Sequence, residues 1–392
     1  MPAYLDHAAT TPLRPEAREA MLPFLGSRFG NPSGSHAFAR QARRAVDEAR
    51  EEMAEALGAQ PGDVVFTGSG TEADNLAVTG AVMAARRERS GAVALCSAVE
   101  HEAVLASVHA TGGRTVPVGG DGRIDLSALE AEARAAEQAG GVAVISVMLA
   151  NNEVGVVQPL GQVVELCRRA APGALVHTDA VQAFPWLDVA KVAAPADLVA
   201  VSAHKFGGPQ GVGALVIRGR AADADRLAPV IHGGGQERGR RSGTHNVAGI
   251  VGMAAAASAT VRQRVETVRQ VTALRDRLAD GLLSAVPEAR ETAPRAERVA
   301  GSCHLLVPGV ESEALLFLLD QEGVGASAGS ACASGAIEPS HVLVAMGVPA
   351  ADARGALRLS LGWCSTDADV EEALRVVPAA VAQLAEPVRT AR

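Results

Sequence analysis

Aromatic residues and cysteines are scarce in this chain, and the cysteines lack the spacing that a metal site or a disulfide framework needs. Phe, Trp and Tyr make up 3% of the 392 residues and apolar residues 48%, which is a globular composition rich in small aliphatic side chains. No CxxC pair is present, so we predict neither a disulfide framework nor a zinc site, and we expect a reducing compartment. The five cysteines are Cys96, Cys167, Cys303, Cys332 and Cys364.

The pattern of a secretory leader or a membrane span is also missing. The first residues, MPAYLDHAATTP, contain no basic stretch followed by an apolar one, which predicts a cytoplasmic protein. Residues 242–261 contain no Asp, Glu, Lys or Arg, but small residues fill this stretch, which favours a buried helix of a soluble domain over a span. The net charge of −8 gives no attraction to nucleic acid or anionic lipid, so we expect neither as a partner.

Apolar runs typical of strands alternate with segments of helical periodicity, which is the pattern of an α/β protein with a mainly parallel sheet. A chain of 392 residues suggests about two domains. Apolar residues recur at helical spacing from Val265 to Leu282, which predicts a long amphipathic helix, and the pattern beyond it is that of a smaller α+β unit. We predict strands at 63–68, 92–98, 141–149, 174–179, 197–203, 304–308 and 356–362, and further helices at 312–323 and 368–385.

These patterns predict a large domain over residues 15–260. A small α+β domain would consist of residues 1–14 and 261–392 and would carry Cys332. Ligands of open α/β sheets collect beyond the carboxyl ends of the strands, so the residues there are the first candidates for chemistry.

Two candidates at strand ends each allow two interpretations. The segment TGSGTEADNLAV (67–78) places glycines between a strand and a helix, where backbone N–H groups can hold a phosphate or simply form an ordinary turn. Asp179 ends a strand-like run. Its carboxylate can pair with the protonated nitrogen of a pyridine cofactor, or it can cap a helix.

The third candidate is Lys205, in the run DLVAVSAHKFGGPQGVGALVI (197–217), which stops at Ser202 and His204 and resumes after four glycines. Alone, Lys205 is best explained as a surface residue near a hairpin. Partly desolvated, its amine is a nucleophile that reacts with an aldehyde cofactor, while Ser202 and His204 can donate to a phosphate. A phosphate turn, an acid and a strand-end lysine in this order are what an enzyme dependent on pyridoxal phosphate (PLP) needs.

The chain resembles the cysteine desulfurases of the NifS/IscS type, which are PLP enzymes of aminotransferase class V. The resemblance runs nearly from end to end and implies the fold type I, aspartate aminotransferase-like fold of PLP-dependent transferases. The segments that carry it are YLDHAATTP (4–12), FGNPSGSH (29–36), GTEADNLA (70–77), EHEAV (100–104), NNEVGVVQP (151–159), HTDAVQ (177–182), SAHKFGGPQGVGAL (202–215), HGGGQERGRRSGT (232–244), SAGSACASG (327–335) and LRLSLG (357–362).

The resemblance implies a role for each matching residue. Lys205 would bond covalently to the PLP aldehyde, Asp179 would pair with the ring nitrogen, Gln182 would contact the phenolic oxygen and His101 would stack on the ring. Asn152 would contact both the cofactor and the substrate carboxylate, and Arg358 would bind that carboxylate with its planar fork. The phosphate would be bound by Gly70, Thr71, Ser202 and His204 of one subunit and by Thr244 of the second subunit of a homodimer.

Cys332 lies among small residues, for which we predict a mobile loop that carries the attacking thiolate. The implied reaction turns L-cysteine into L-alanine and leaves a persulfide on Cys332, with Lys205 and His101 moving protons. The sulfur would pass to an acceptor protein, for iron–sulfur clusters, thiolated tRNA or another thio-compound. Since the chain ends without the longer tail of IscS-type members, the acceptor stays open. The alternatives are a selenocysteine lyase, an aminotransferase, or a non-catalytic regulator that keeps the fold.

Overall fold

A seven-stranded sheet is the centre of the chain in the computed structural model, which describes residues 2–329 and 339–385. The described strands are β1 (Ala3–Tyr4), β2 (Val64–Thr67), β3 (Val93–Ser97), β4 (Arg114–Val116), β5 (Val142–Ser146), β6 (Leu175–Asp179), β7 (Leu198–Ser202), β8 (Gly213–Ile217), β9 (Arg290–Glu291), β10 (Ser302–Leu306), β11 (Val324–Gly325) and β12 (Ala356–Ser360).

The described helices alternate with these strands through most of the chain. They are α1 (Pro15–Met21), α2 (Ala37–Leu57), α3 (Gly70–Ala85), α4 (Glu102–Ala110), α5 (Leu126–Ala139), α6 (Leu160–Ala170), α7 (Val189–Val192), α8 (Val247–Ala285), α9 (Ser312–Gln321), α10 (His341–Ala345), α11 (Ala350–Ala353) and α12 (Asp367–Ala385).

The large sheet has the strand order β2-β8-β7-β6-β5-β3-β4. The five strands from β7 to β4 run parallel, whereas β8 is antiparallel to both of its neighbours. This confirms the predicted α/β class with its mainly parallel sheet. Parallel pairing brings the carboxyl ends of β6 and β7 side by side, with Asp179 opposite Ala200.

Helices cover both faces of this sheet because each strand buries alternate residues on opposite sides. Val64 and Phe66 of β2 belong to one apolar core with residues of α2, α5, α6 and the start of α8. Val65, between them, belongs to a second core with residues of α3 and α4. Burial on both faces explains why the strands read as continuous apolar runs rather than as alternating patterns.

A smaller set of strands and helices follows the sheet in sequence. β10 pairs antiparallel with β9 and β12, and β1 pairs in parallel with β11. Apolar residues of α9, α12 and the second half of α8 form the core against these strands. The predicted strands and helices of this region are confirmed within a few residues.

Helix α8 is longer than the predicted amphipathic helix because the uncharged stretch before it is helical as well. Residues Ala248–Gly249 and most of the small residues up to Thr260 are buried, as expected of a helix inside a domain. In the described part of the chain no helix is long and apolar enough to span a membrane. The domain boundary at residue 261 falls inside α8 and stays a prediction.

Three cysteines lie in the cores. Cys96, Cys167 and Cys303 are all buried. Cys364 is partly exposed. Cys332 and the loop predicted around it fall largely in residues 330–338, outside the described residues.

A buried ion pair fixes the segment HGGGQERGRRSGT (232–244) to the edge of the sheet. Arg50 of α2 donates to both carboxylate oxygens of Glu237, at 2.7 and 2.6 Å, and Glu237 also accepts from the Phe66 backbone at 3.0 Å and contacts His245 at 2.6 Å. Glu237 and Arg238 both have positive φ, at 50° and 56°, a strained conformation for non-glycine residues. The ion pair holds the backbone in this conformation.

We expect Glu237→Gln to lower the free energy of unfolding by about 3–5 kcal/mol, because it leaves the buried Arg50 without a counter-charge. Although burial raises it, hydrogen bonds from His245 and Arg50 bring the pKa of Glu237 down to about 2. A carboxyl group whose pKa is lowered by folding stabilises the folded protein at pH values above its pKa in the unfolded chain. The difference in unfolding free energy between the wild type and the variant should therefore shrink as pH falls from about 5 towards 2.

The measurement is urea unfolding of both proteins at several pH values. Glu48→Gln is the matched control, since Glu48 makes a similar pair with Arg44 on the exposed face of the same helix. Exposed pairs contribute little, so this control should not change stability measurably. A cost of Glu237→Gln no larger than that of the control would contradict the assignment.

Candidate active site

Lys205 and Asp179 meet at the carboxyl edge of the large sheet. Asp179 is the last residue of β6, and Lys205 ends a single 3-10 turn that follows β7. Because β6 and β7 are parallel neighbours, both residues leave the sheet at the same edge.

The Lys205 amine is held by the backbone of the N-terminal segment. Its Nζ donates to the carbonyl oxygens of Ala8, at 2.6 Å, and Ala9, at 2.7 Å. Burial, together with the charge of Arg358, lowers the pKa of Lys205 to about 8, against the opposing charges of Asp179 and Asp6. A substantial fraction of this amine is therefore neutral, and nucleophilic, near physiological pH.

Asp179 is buried and accepts a hydrogen bond from the Val181 backbone at 2.8 Å. A turn follows it rather than a helix, so the helix-cap interpretation is wrong. Burial raises the pKa of Asp179, while the charges of His101 and Lys205 act in the other direction. Gln182, three residues on, donates from Nε2 to the same Ala8 carbonyl at 2.6 Å.

The predicted phosphate turn is the start of α3. Ser69 caps this helix by accepting from the Glu72 backbone at 3.1 Å, and Gly70 is its first residue. A Cβ on Gly70 would lie 3.1 Å from the Cβ of Ser202 and 3.0 Å from a methyl group of Val181, so glycine lets the helix start approach the end of β7. Gly70, the exposed Thr71 and the buried Ser202 are thus brought together, as predicted.

His204 faces the N-terminal segment rather than solvent. Its Nδ1 lies 3.2 Å from the hydroxyl of Thr10. Burial and the charge of Lys205 lower the pKa of His204 to about 4, so its imidazole is neutral at physiological pH. A neutral imidazole can still donate one hydrogen bond to an anion.

Arg358 reaches the site from β12. Its Nη1 donates to the carbonyl oxygens of Asn152 and Gly329, each at 3.0 Å, and its Nη2 donates to Asp6 at 2.8 Å. Its Nε is buried with no hydrogen-bond partner among the described residues. Asn152, Gln182, Lys205 and Arg358 line one cavity, which confirms that separate parts of the sequence converge here.

Several predicted site residues do not line this cavity, namely Gly70, Thr71, His101, Asp179, Ser202, His204 and Thr244. His101 caps α4, accepts from the Ala103 backbone at 3.1 Å and is exposed. Thr244 is exposed, and nearby Arg241 pairs with Glu72 at the start of α3 at 2.7 Å. Cys332 lies outside the described residues.

The sequence did not predict a functional role for residues 6–10, although they belong to a segment that carries the resemblance. Ala8 and Ala9 act through their carbonyl oxygens, which no side-chain pattern reveals. The acid at Asp6 could have been found as a polar residue in an otherwise small-residue segment. The structure shows that this segment forms one wall of the site.

PLP fits these residues. The amine of Lys205 is partly buried with a lowered pKa, the carboxylate of Asp179 lies at the same strand edge, and the glycine at position 70 lets the start of α3 approach Ser202. A helix start with Ser202 beside it suits a phosphate. Lys205, Asp179, Gln182, Ser202, Gly70 and Thr71 would hold the cofactor.

Comparisons with known proteins agree over almost the whole chain. The aminotransferase class V family model matches residues 3–373. An IscS-like cysteine desulfurase of Mycobacterium tuberculosis is 45% identical over 97% of this chain and 96% of that protein, and a cysteine desulfurase of Cereibacter sphaeroides is 44% identical over the same shares. Among solved structures, a NifS-like protein superposes with a TM-score of 0.88 at 32% identity, covering 98% of this chain and 100% of its own.

We expect the reaction of Lys205 with a small aldehyde, trapped by borohydride in the apoprotein, to reach half of its maximal rate near pH 8, because that is the pKa of the amine. An unperturbed lysine would give a midpoint near 10.4. The chain has two lysines, so the exposed Lys191 is the internal reference for reagent decay, and peptide mass spectrometry separates the two.

The variant Asp6→Asn tests the direction of the pKa shift, because the charge of Asp6 raises the pKa of Lys205. The variant should move the midpoint below that of the wild type. A midpoint near 10 in both proteins would show that the Lys205 amine is not desolvated.

Proposed function

We propose a residue-by-residue account of catalysis for this chain, which belongs to the aminotransferase class V family and, within it, is a PLP-dependent cysteine desulfurase. L-Cysteine is the substrate and L-alanine the product, and Cys332 keeps the released sulfur as a persulfide. The observation that carries the proposal is the placement of Lys205 and Asp179 at one strand edge, with the amine buried and held by two carbonyl oxygens.

PLP supplies an electron sink for the bond-breaking steps when it is bound, and the protein tunes and orients it. Asp179 provides the negative charge that stabilises a protonated ring nitrogen. Gln182 would offer its amide to the phenolic oxygen, His101, which caps α4, would stack on the ring, and Asn152 would add a polar contact. The phosphate is bound by the N–H groups at Gly70 and Thr71, by Ser202 and by His204.

Lys205 is the residue that moves protons at the substrate. Its pKa of about 8 lets it exist as a free amine and accept a proton, then return that proton from the same position. The carbonyl oxygens of Ala8 and Ala9 hold the ammonium form, so the group has a fixed place in both protonation states. His101 is a second proton carrier on the exposed side.

Arg358 and Asn152 bind the substrate carboxylate. The buried guanidinium is held in place by two carbonyl oxygens and by Asp6, which fixes the direction in which its plane points. Its Nε has no partner among the described residues and remains free to donate.

Cys332 attacks the substrate sulfur as a thiolate. A sulfur–sulfur bond forms, the carbon–sulfur bond of cysteine breaks, and its electron pair stays on the substrate carbon, which then takes a proton to give alanine. The balance is L-cysteine plus one protein thiol giving L-alanine plus one protein persulfide. An acceptor protein, for iron–sulfur cluster assembly, tRNA thiolation or another thio-compound, takes the sulfur in the cytoplasm.

A homodimer completes the site in this proposal. Thr244 is exposed, and its segment is fixed against the start of α3 by Arg241 and against the sheet by Glu237. An exposed hydroxyl on a rigid segment is suited to contact the phosphate held by a second copy of the chain.

We expect Cys332→Ala to release no alanine from L-cysteine above background at equal PLP content, with a thiol reductant present, because no thiol remains to take the sulfur. Cys364→Ala is the matched control, since Cys364 is the partly exposed cysteine among the described residues, and it should keep wild-type turnover. Equal alanine from both variants would point to a reaction that does not need Cys332, such as selenocysteine lysis, whereas amino-group transfer would release no alanine from L-cysteine. We expect Lys205→Ala to lose the visible absorption band of the bound cofactor, whereas Lys191→Ala should keep it. If the wild-type protein shows no such band after PLP is added, it would be a non-catalytic regulator.

We expect mixed dimers of Lys205→Ala and Thr244→Ala subunits to regain activity that neither variant has alone. If Thr244 serves the partner's site, each mixed dimer contains one site with both residues intact. Random mixing in equal amounts would then restore about a quarter of the wild-type sites. Mixing that restores nothing would place Thr244 in its own subunit's site or outside catalysis.

A further inference from the structure

Four buried polar residues under the site have no role in the reaction described above. They are Asp74, Glu100, Ser146 and His177, none more than 1% exposed. Asp74 lies on α3 one turn from Gly70, Glu100 precedes His101, and Ser146 and His177 lie on the neighbouring strands β5 and β6. Three of them belong to the sequence segments that carry the resemblance.

The four side chains form a line. Ser146 Oγ lies 2.8 Å from His177 Nδ1 and 3.5 Å from Glu100 Oε2. At the other end, His177 Nε2 lies 3.5 Å from Asp74 Oδ1, and neither of these buried atoms has a hydrogen-bond partner among the described residues. The remaining oxygen of Glu100 accepts from the Met148 backbone at 2.7 Å. The two end contacts are long and the central one is short.

The chemistry of the two central residues makes this line directional. A neutral imidazole has one donor and one acceptor nitrogen, and a hydroxyl has a single proton to donate. If Asp74 donates to His177, then His177 donates to Ser146 and Ser146 to Glu100, which accepts as a carboxylate. If Glu100 donates instead, every bond reverses and Asp74 becomes the carboxylate. In either direction one proton on the two acids is enough to satisfy all three contacts, whereas with no proton on either acid one contact would place two acceptors against each other.

We propose that Asp74, His177, Ser146 and Glu100 form one hydrogen-bonded chain that holds a single proton for its two carboxyl groups. The chain therefore carries one negative charge instead of two. Burial lowers the pKa of His177 to about 3, in keeping with a neutral ring. Burial, with the charge of Asp179, raises the pKa of both Asp74 and Glu100.

The consequence for the site is electrostatic. Asp179 acts on both end carboxyls, so every negative charge on the chain makes an ionised Asp179 more costly. The charged or titratable groups that face this cluster are Asp179 from β6, His101 and Lys205 beyond it, and Cys96 from β3 beside Glu100. Asp74 and Glu100 are thus positioning residues that let Asp179 keep its charge. The effect on Asp179 and the cofactor rests on the proposed function, but the number of protons held by the two carboxyl groups does not.

The test counts protons in the apoprotein, by urea unfolding of the wild type, Asp74→Asn, Glu100→Gln and the double variant from pH 4.5 to 7.5. The folded wild type holds one proton that the unfolded chain loses above pH about 4. Stability from this proton is lost as pH rises. The ratio of the wild-type to the variant unfolding constant should therefore rise about tenfold per pH unit. Since one proton is shared, either single variant should remove the whole effect, and the double variant should remove no more.

Other outcomes overturn the proposal. If the logarithm of the ratio of unfolding constants rose with pH twice as steeply for the double variant as for each single variant, the two acids would each hold a proton independently. A ratio that stays flat with pH would show that both acids are ionised in the folded protein. Asp125→Asn is the matched control: this exposed residue caps α5 and its Ser127 and Ala128 hydrogen bonds lower its pKa, so its ratio should not rise with pH.

Ser146→Ala keeps the proposal testable if an end variant does not fold, because it breaks the line without removing a charge. It should abolish the sharing, so that the carbonyl stretch of a protonated carboxylic acid in the infrared spectrum of the apoprotein splits or shifts. The same band should disappear in whichever end variant folds. A band unchanged by Ser146→Ala, or no such band in the wild type, would refute the shared proton. Failure of PLP binding or of alanine release would refute the proposed function and leave this count unaffected.

Discussion

The burial of the Lys205 amine is the constraint on which the rest of the site depends. An ammonium group taken out of water needs acceptors, and here the carbonyl oxygens of Ala8 and Ala9 supply them. Since backbone oxygens carry only partial charge, they hold the protonated form without the full stabilisation that a carboxylate contact would give. The lysine therefore stays basic enough to take a proton and acidic enough to release it.

The N-terminal segment that holds Lys205 also connects the large sheet with the sheet formed by β9, β10 and β12. The Ser360 backbone N–H donates to the Leu5 carbonyl at 2.6 Å, the Ala8 N–H donates to the Ser360 hydroxyl at 2.9 Å, and Asp6 accepts from Arg358 of the same strand. On the other side the segment meets Lys205 and Gln182 of the large sheet. One short segment therefore contacts both Lys205 and Arg358.

Charge below the site is limited by burial in a similar way. Asp179 lies among side chains that burial keeps mostly neutral, including His177 beneath it and His204 beside Lys205, whose pKa values are lowered to about 3 and about 4. Neutral histidines keep the hydrogen-bond capacity of the site without adding positive charge that would compete with a cofactor for Asp179. The glycine at the start of α3 adds the steric part of the design, because it lets a helix end approach Ser202 closely.

The sequence by itself determined the α/β class and the positions of most strands, and it predicted Lys205, Asp179, Ser202 and Arg358 as site residues. The spacing of apolar residues and the polar residues at strand ends depend on the local order of residues, which can be read directly from the sequence. The site depends equally on contacts that local order does not contain. Only the tertiary structure decided that two alanine carbonyls hold the lysine, that Asp6 pairs with Arg358, and that Asp74 meets His177. Carbonyl acceptors have no side-chain signature, and the partners of a buried acid are chosen by how helices and strands pack.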